Sequence, residues 1–190
     1  PNESCVLPDR LLTRFVAGAK GAFTLRFSPT GAMLAVACCE TNVFPVRIFD
    51  VAGLASTNHP NNHLDTSLVG NQSREGAILV AELLGHHGIV YDMRWSRDER
   101  RLLTASADAT AKLWNVENAS SHHSAPRLDR IFQHGTTYVY SAALIGAVEN
   151  QERHEEKELD EWLRVLPGAN DGSLRYREAE AGRDLGVLGG

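Results

Sequence analysis

His86, Ser106 and Asp108 are the side chains here whose types could form a hydrolytic centre: a base, a hydroxyl nucleophile and an orienting carboxylate. Their setting argues against it. A nucleophilic serine needs an exposed, strained turn with oxyanion donors beside it. Ser106 instead lies in the run Leu102-Leu103-Thr104-Ala105-Ser106, which reads as a buried strand. Four further histidines, His59, His63, His122 and His123, could suggest a metal. No Cys or carboxylate accompanies them at ligand spacing, so they read as solvated loop residues. A Gly-rich phosphate loop, paired catalytic carboxylates and a basic aromatic platform are all missing from the sequence. The expectation is a non-enzyme: catalytic residues none, cofactor none, metal none, and no small-molecule substrate.

The elements that hold these residues come from a repeat, which must be sought before any local reading. Residues 78–116 contain four short apolar runs, 78–84, 89–96, 101–106 and 110–116, separated by Gly85-His86, Arg97-Asp98-Glu99 and Ala107-Asp108-Ala109. Each run has strand length and each break has turn chemistry. A shift of 68 positions superposes Phe23-Thr24-Leu25-Arg26-Phe27-Ser28 on Tyr91-Asp92-Met93-Arg94-Trp95-Ser96, and Leu34-Ala35-Val36-Ala37-Cys38 on Leu102-Leu103-Thr104-Ala105-Ser106. A third, weaker copy aligns Ile131-Phe132-Gln133-His134 with Leu83-Leu84-Gly85-His86, and Tyr138-Val139-Tyr140-Ser141 with Ile89-Val90-Tyr91-Asp92. An Asp171-Gly172 hairpin turn follows in that copy.

Four strands in roughly 40 residues matches one propeller blade, and the central copy resembles the WD-repeat family. In that family a hydrogen-bond relay pins each blade, from a Gly-His turn to a tryptophan on the third strand. The resemblance implies a structural tetrad of His86, Ser106, Asp108 and Trp114. The first copy has Gly18, Cys38, Glu40 and Phe49 at those places, and the third has His134, Ala169, Asp171 and Arg177. The expected fold is therefore all-β, a partial WD-repeat β-propeller of about three four-stranded blades plus the start of a fourth. Blade 1 is assigned to residues 1–52, a disordered insertion to 53–77, blade 2 to 78–117 and a loop to 118–127. Blade 3 is assigned to 128–181 with an acidic insertion at 149–161, and 182–190 to the outer strand of a next blade. Three units and a fraction cannot close a propeller, and the chain starts at Pro1, so a longer parent protein with further blades is expected.

Within this class the chain is most similar to the jouberin family. The resemblance rests on Leu7-Pro8-Asp9-Arg10-Leu11-Leu12, on Gly21-Ala22-Phe23-Thr24-Leu25-Arg26-Phe27-Ser28-Pro29 and on Gly85-His86-His87-Gly88 with the strands after it. It implies a scaffold of the ciliary base and transition zone, acting in cilium assembly, with transition-zone proteins as partners. A substrate receptor of a cullin-type ubiquitin ligase, or another generic WD-repeat adaptor, is the alternative. Many such receptors carry Trp-Asp-x-Arg after the third strand, and here Trp114-Asn115-Val116-Glu117 and Phe49-Asp50-Val51-Ala52 both lack the arginine.

Composition narrows the partners. Formal net charge is −5, against the basic footprint of a nucleic-acid binder. Residues 149–161 carry seven carboxylates and two cations, which equals that whole excess. Mean hydropathy is −0.25 and no apolar run approaches the roughly 20 residues of a membrane span, so membrane insertion is not expected. Three cysteines, Cys38 and Cys39 adjacent, give no disulfide framework and suit a reducing, cytoplasmic setting. Other proteins remain as partners. Propellers usually bind through the loops entering the innermost strand and leaving the second, so the resemblance implies Phe23, Ile89, Tyr91, Tyr138 and Tyr140 as a partner-binding face. The competing reading places Phe23, Tyr91 and Tyr140 in the core of their strands.

Overall fold

The computed structural model describes residues 14–56, 77–117, 125–135, 138–145, 164–178 and 184–188. These form three four-stranded antiparallel sheets. The first is β1 (Ala22–Phe27), β2 (Met33–Cys38), β3 (Val46–Asp50) and β4 (Ile78–Leu83), with a short 3-10 turn at Ala52–Ser56. The second is β5 (Val90–Trp95), β6 (Arg101–Ser106), β7 (Thr110–Asn115) and β8 (Arg127–Gln133). The third is β9 (Val139–Ile145), β10 (Arg164–Ala169), β11 (Leu174–Glu178) and β12 (Asp184–Leu188). Every strand pairs with its sequence neighbour, and β1, β5 and β9 lie against one another as the inner strands. The described residues are all-β, a partial propeller of three blades.

Turn chemistry explains where the strands end. Ser28 and Ser96, 68 residues apart, are both buried. Each hydroxyl accepts from the amide five residues on, Met33 and Arg101 respectively, and so closes the turn after the inner strand. Gly31 takes φ +77° in the first of these turns, a conformation that costs a side chain but not glycine.

Sheet and repeat are offset by one strand. Residues 78–83, read with the second repeat, form the outer strand of the first sheet, and 127–133 that of the second. The segment 184–188, assigned above to a further blade, is the outer strand of the third sheet. The cause is topological: the run before each Gly-His turn pairs with the strand preceding it, and the turn then carries the chain to the inner position of the next sheet. Most of the 53–77 insertion (57–76), most of the 118–127 loop (118–124) and all of the 149–161 acidic stretch lie outside the described residues.

The core is divided between the sheets. Ala35, Ala37, Val46, Ile48, Ala81 and Leu83 of the first sheet pack on Val90, Met93, Leu102 and Trp114 of the second. The opposite face of the second sheet, with Leu103, Ala105, Ala111, Leu113 and Phe132, packs on Val139, Ala142 and Val165 of the third. Strand alternation makes this possible, because neighbours in β6 point to opposite faces and so serve two cores. A fully buried Leu or Phe in such a layer stabilises by about 2–3 kcal/mol. Phe15, Ala17, Leu54 and Ala77 pack on the opposite face of the first sheet, against Leu34, Val36, Cys38, Phe49 and Val51.

Polar contacts tie the inner strands together. The Asp92 carboxylate accepts from Arg26 of β1 at 3.0 Å, from Arg94 of its own strand at 2.8 Å and from the Ser141 hydroxyl of β9 at 2.8 Å. One buried carboxylate thus joins three sheets. The Trp95 indole donates to the Arg26 carbonyl, and the Thr30 amide donates to Glu99.

Candidate functional site

The buried relay begins at His86, in the turn between β4 and β5. Its Nδ1 lies 2.7 Å from Asp108 Oδ2 and its Nε2 lies 2.6 Å from Thr104 Oγ1. The Trp114 indole N–H donates to the same Thr104 oxygen at 3.0 Å. Burial pushes the imidazole below its ordinary pKa, Asp108 pulls against that, and Lys112 adds to the lowering. A neutral imidazole fixes the proton order. Nδ1–H donates to Asp108, Thr104 O–H donates to Nε2, and Trp114 N–H donates to Thr104. Burial also raises the Asp108 carboxyl, but bonds from His86, Thr110 and the His87 amide hold it well below the usual carboxylate range.

Ser106, expected within the relay, stands outside it. Its hydroxyl donates to the Gly88 carbonyl at 3.0 Å and accepts from the Asp108 amide at 3.1 Å, so it shapes the turns at both ends of the loop. Thr104 takes the relay place because of register. Trp114 pairs with Leu102 and Lys112 with Thr104, so the indole reaches diagonally along its own face to Thr104. The ladder between β6 and β7 ends at Ala105 opposite Ala111, one residue short of Ser106. The Ser106 hydroxyl makes no bond to the imidazole and is fully buried, with no approach for a substrate. Lys112 was also not foreseen: it is 4% exposed, donates to Thr110 at 3.2 Å and lies 4.0 Å from Asp108.

The first sheet solves the same problem with apolar groups. Val36 stands where Thr104 does, and Phe49, in the place of Trp114, packs its ring 4.9 Å from that of Phe15. The Cys38 thiol donates to the Ala17 carbonyl at 3.3 Å. A Cβ on Gly18 would lie 2.9 Å from that of Cys38, so no larger residue fits there. Arg47, the counterpart of Lys112, pairs with Glu40 at 2.7 Å and Glu82 at 2.8 Å. In the third copy of the repeat His134, just after β8, is 1% exposed, and exposed Asp171 caps its own turn by accepting from Ser173.

A second constellation is open to solvent. Strand pairing skips one residue on each inner strand: Phe23 between Ala22 and Thr24, Tyr91 between Val90 and Asp92, and Tyr140 between Val139 and Ser141. Each sheet therefore has a bulge at the same place, and each bulge carries an aromatic ring. A bulge re-aims its side chain away from the ladder. Phe23 is 53% exposed, Tyr140 45% and neighbouring Tyr138 48%, while Ile89 and Tyr91 are partly buried. The Tyr91 and Tyr140 rings lie 5.1 Å apart across the boundary of two sheets, with Tyr138 6.2 Å from Tyr140. The three tyrosines form one shelf; none belongs to a core cluster.

Comparisons with known proteins agree with this architecture. Residues 77–115 match the family model described as WD domain, G-beta repeat. The chain is 29% identical over 189 residues to jouberin of Rattus norvegicus and equally to jouberin of Mus musculus, covering 99% of this chain. It spans 14% of the length of those relatives. It is also 45% identical over 40 residues to denticleless protein homolog B of Xenopus laevis, covering 21% of this chain and 6% of that protein.

Proposed function

We propose that this WD-repeat chain, which resembles jouberin, is a protein-binding scaffold at the ciliary base and transition zone, working in cilium assembly from the cytoplasm. The observation that carries the binding role is the array of bulge aromatics on a frame whose buried relay is satisfied internally. The His86–Asp108–Thr104–Trp114 relay is closed on itself and buried; its chemistry is to hold a loop and a strand in place. Large, half-exposed rings on a rigid sheet end suit recognition instead, since aromatic anchors bring contact area at low entropic cost. No helix among the described residues is long and apolar enough to cross a membrane.

The ciliary assignment is supported by similarity to jouberin along almost the whole chain. The test is to tag the complete protein that contains this chain in ciliated cells. Enrichment at the ciliary base, lost when Tyr91, Tyr138 and Tyr140 are all changed to serine, is the expected result. A diffuse signal that avoids the ciliary base overturns the assignment.

A further inference from the structure

The inner strands carry more positive charge than they neutralise. Arg26 and Arg94 occupy equivalent positions, 68 residues apart, on β1 and β5. Both guanidiniums converge on the same oxygen, Asp92 Oδ1, at 3.0 and 2.8 Å. Among the described residues Asp92 is the carboxylate within ion-pair reach of either, so two cations share one anion. Asp92 is buried, whereas the arginine side chains stay 44% and 41% exposed. Among the described residues their other bonds run only to the neighbouring Leu25 and Met93 carbonyls. The Arg26 fork thus keeps Nε free, and the Arg94 fork Nε and Nη2, for the planar, two-point recognition at which guanidinium excels.

The surroundings say what kind of anion fits. The surplus is a single positive charge, matched by one carboxylate. Tyr91 precedes Asp92 in the chain, and Tyr140 precedes Ser141, which donates to Asp92. The tyrosine shelf therefore flanks the arginine pair within a few residues of extended chain, at about 3.3 Å per residue.

We propose that Arg26 and Arg94 form a carboxylate-binding subsite, taking an Asp or Glu side chain of an extended partner segment whose adjacent aromatic or bulky apolar side chain rests on the Tyr91–Tyr138–Tyr140 shelf. This rests on the scaffold reading above and names its partner's chemistry.

The experiment is selection of a randomised decapeptide display library on the 190-residue chain, followed by fluorescence anisotropy with the best labelled peptide. The expected consensus pairs an acidic residue with an aromatic or bulky apolar one. Exchanging that acidic residue for its amide weakens binding about tenfold, in line with a charge-assisted bond. Arg94→Gln weakens it equally, and Tyr140→Ser acts through the second residue. Arg94 is the first choice for substitution because Arg26 still neutralises Asp92 in that variant. Arg94→Lys, which keeps charge without the fork, gives an intermediate loss and guards against a folding artefact. Raising salt from 50 to 500 mM weakens the acidic peptide more than its amide. A consensus without carboxylates, bound equally by wild type and Arg94→Gln, overturns the subsite and leaves the scaffold reading standing. A preference for phosphorylated over acidic peptides also overturns it. Recovery of no peptide by folded protein overturns the subsite and counts against the shelf as well.

Discussion

Replacing Thr104 with valine tests the relay most directly. The two side chains have nearly the same shape, so no cavity opens. What changes is that the Trp114 N–H and His86 Nε2 lose their shared partner in a fully buried position. A buried polar group left unsatisfied costs about 1–3 kcal/mol, so the pair costs about 2–6 kcal/mol. Ser106→Ala removes a hydroxyl only two residues away, with a donor and an acceptor of its own. Those two backbone bonds, at the modest net worth of ordinary hydrogen bonds, cost about 1–2 kcal/mol. Urea denaturation followed by far-UV circular dichroism separates the cases, because an m-value of about 2 kcal/mol/M turns the Thr104→Val loss into a midpoint shift of about 1–3 M. The first sheet supplies the counter-experiment, since it carries Val36 and Phe49 at these two places. Thr104→Val with Trp114→Phe removes donor and acceptor together, and the double variant should be less destabilised than the sum of the singles by about 1–2 kcal/mol. A Thr104→Val midpoint no lower than that of Ser106→Ala, or strict additivity in the double variant, refutes the relay as described.

Stability should fall on the acid side. Burial keeps the folded His86 pKa below its unfolded value of about 6.5, so the unfolded chain takes up the proton first and stability is lost as pH drops below that value. Asp108, also lowered, adds a second loss below about pH 4. The Tm difference between wild type and His86→Gln should therefore narrow from pH 7.5 to pH 5; a constant gap speaks against a buried neutral imidazole. Asp92→Asn should lower stability by about 1–3 kcal/mol, discounted for the partial exposure of both arginines, and an unchanged urea midpoint would show that the three-sheet link contributes nothing. Gly88→Ala should cost about 2 kcal/mol or more, because the added Cβ falls 2.9 Å from the Asp108 amide and 3.1 Å from the Ala107 carbonyl carbon, which are backbone and cannot swing away. Wild-type stability in that variant would mean the turn relaxes freely.

Strand positions were legible because apolar runs of five or six residues between Gly, Asp and Ser turns have few other outcomes. His86, Asp108 and Trp114 were legible through the resemblance to the WD repeat, whose Gly-His turn, tight turn and third-strand tryptophan they match. Which of two hydroxyls on β6 meets the indole was not. Thr104 and Ser106 share a face, and only the pairing of Trp114 with Leu102 decides between them. That information lies between strands. The same holds for Asp92, whose partners Arg26 and Ser141 come from two other sheets. Blade limits drawn at repeat limits were displaced by one strand, because self-similarity marks where a unit recurs and says nothing of which neighbour its first strand joins.

The residues Phe23, Tyr91 and Tyr140 are the ones that inner-strand pairing leaves out. Exchanging any of them leaves every cross-strand partner where it was, so descendants of this sequence can acquire new tastes in partners by altering a few letters, without disturbing the framework. Drift in what the protein holds and conservation of how it folds are, at these three places, mechanically uncoupled.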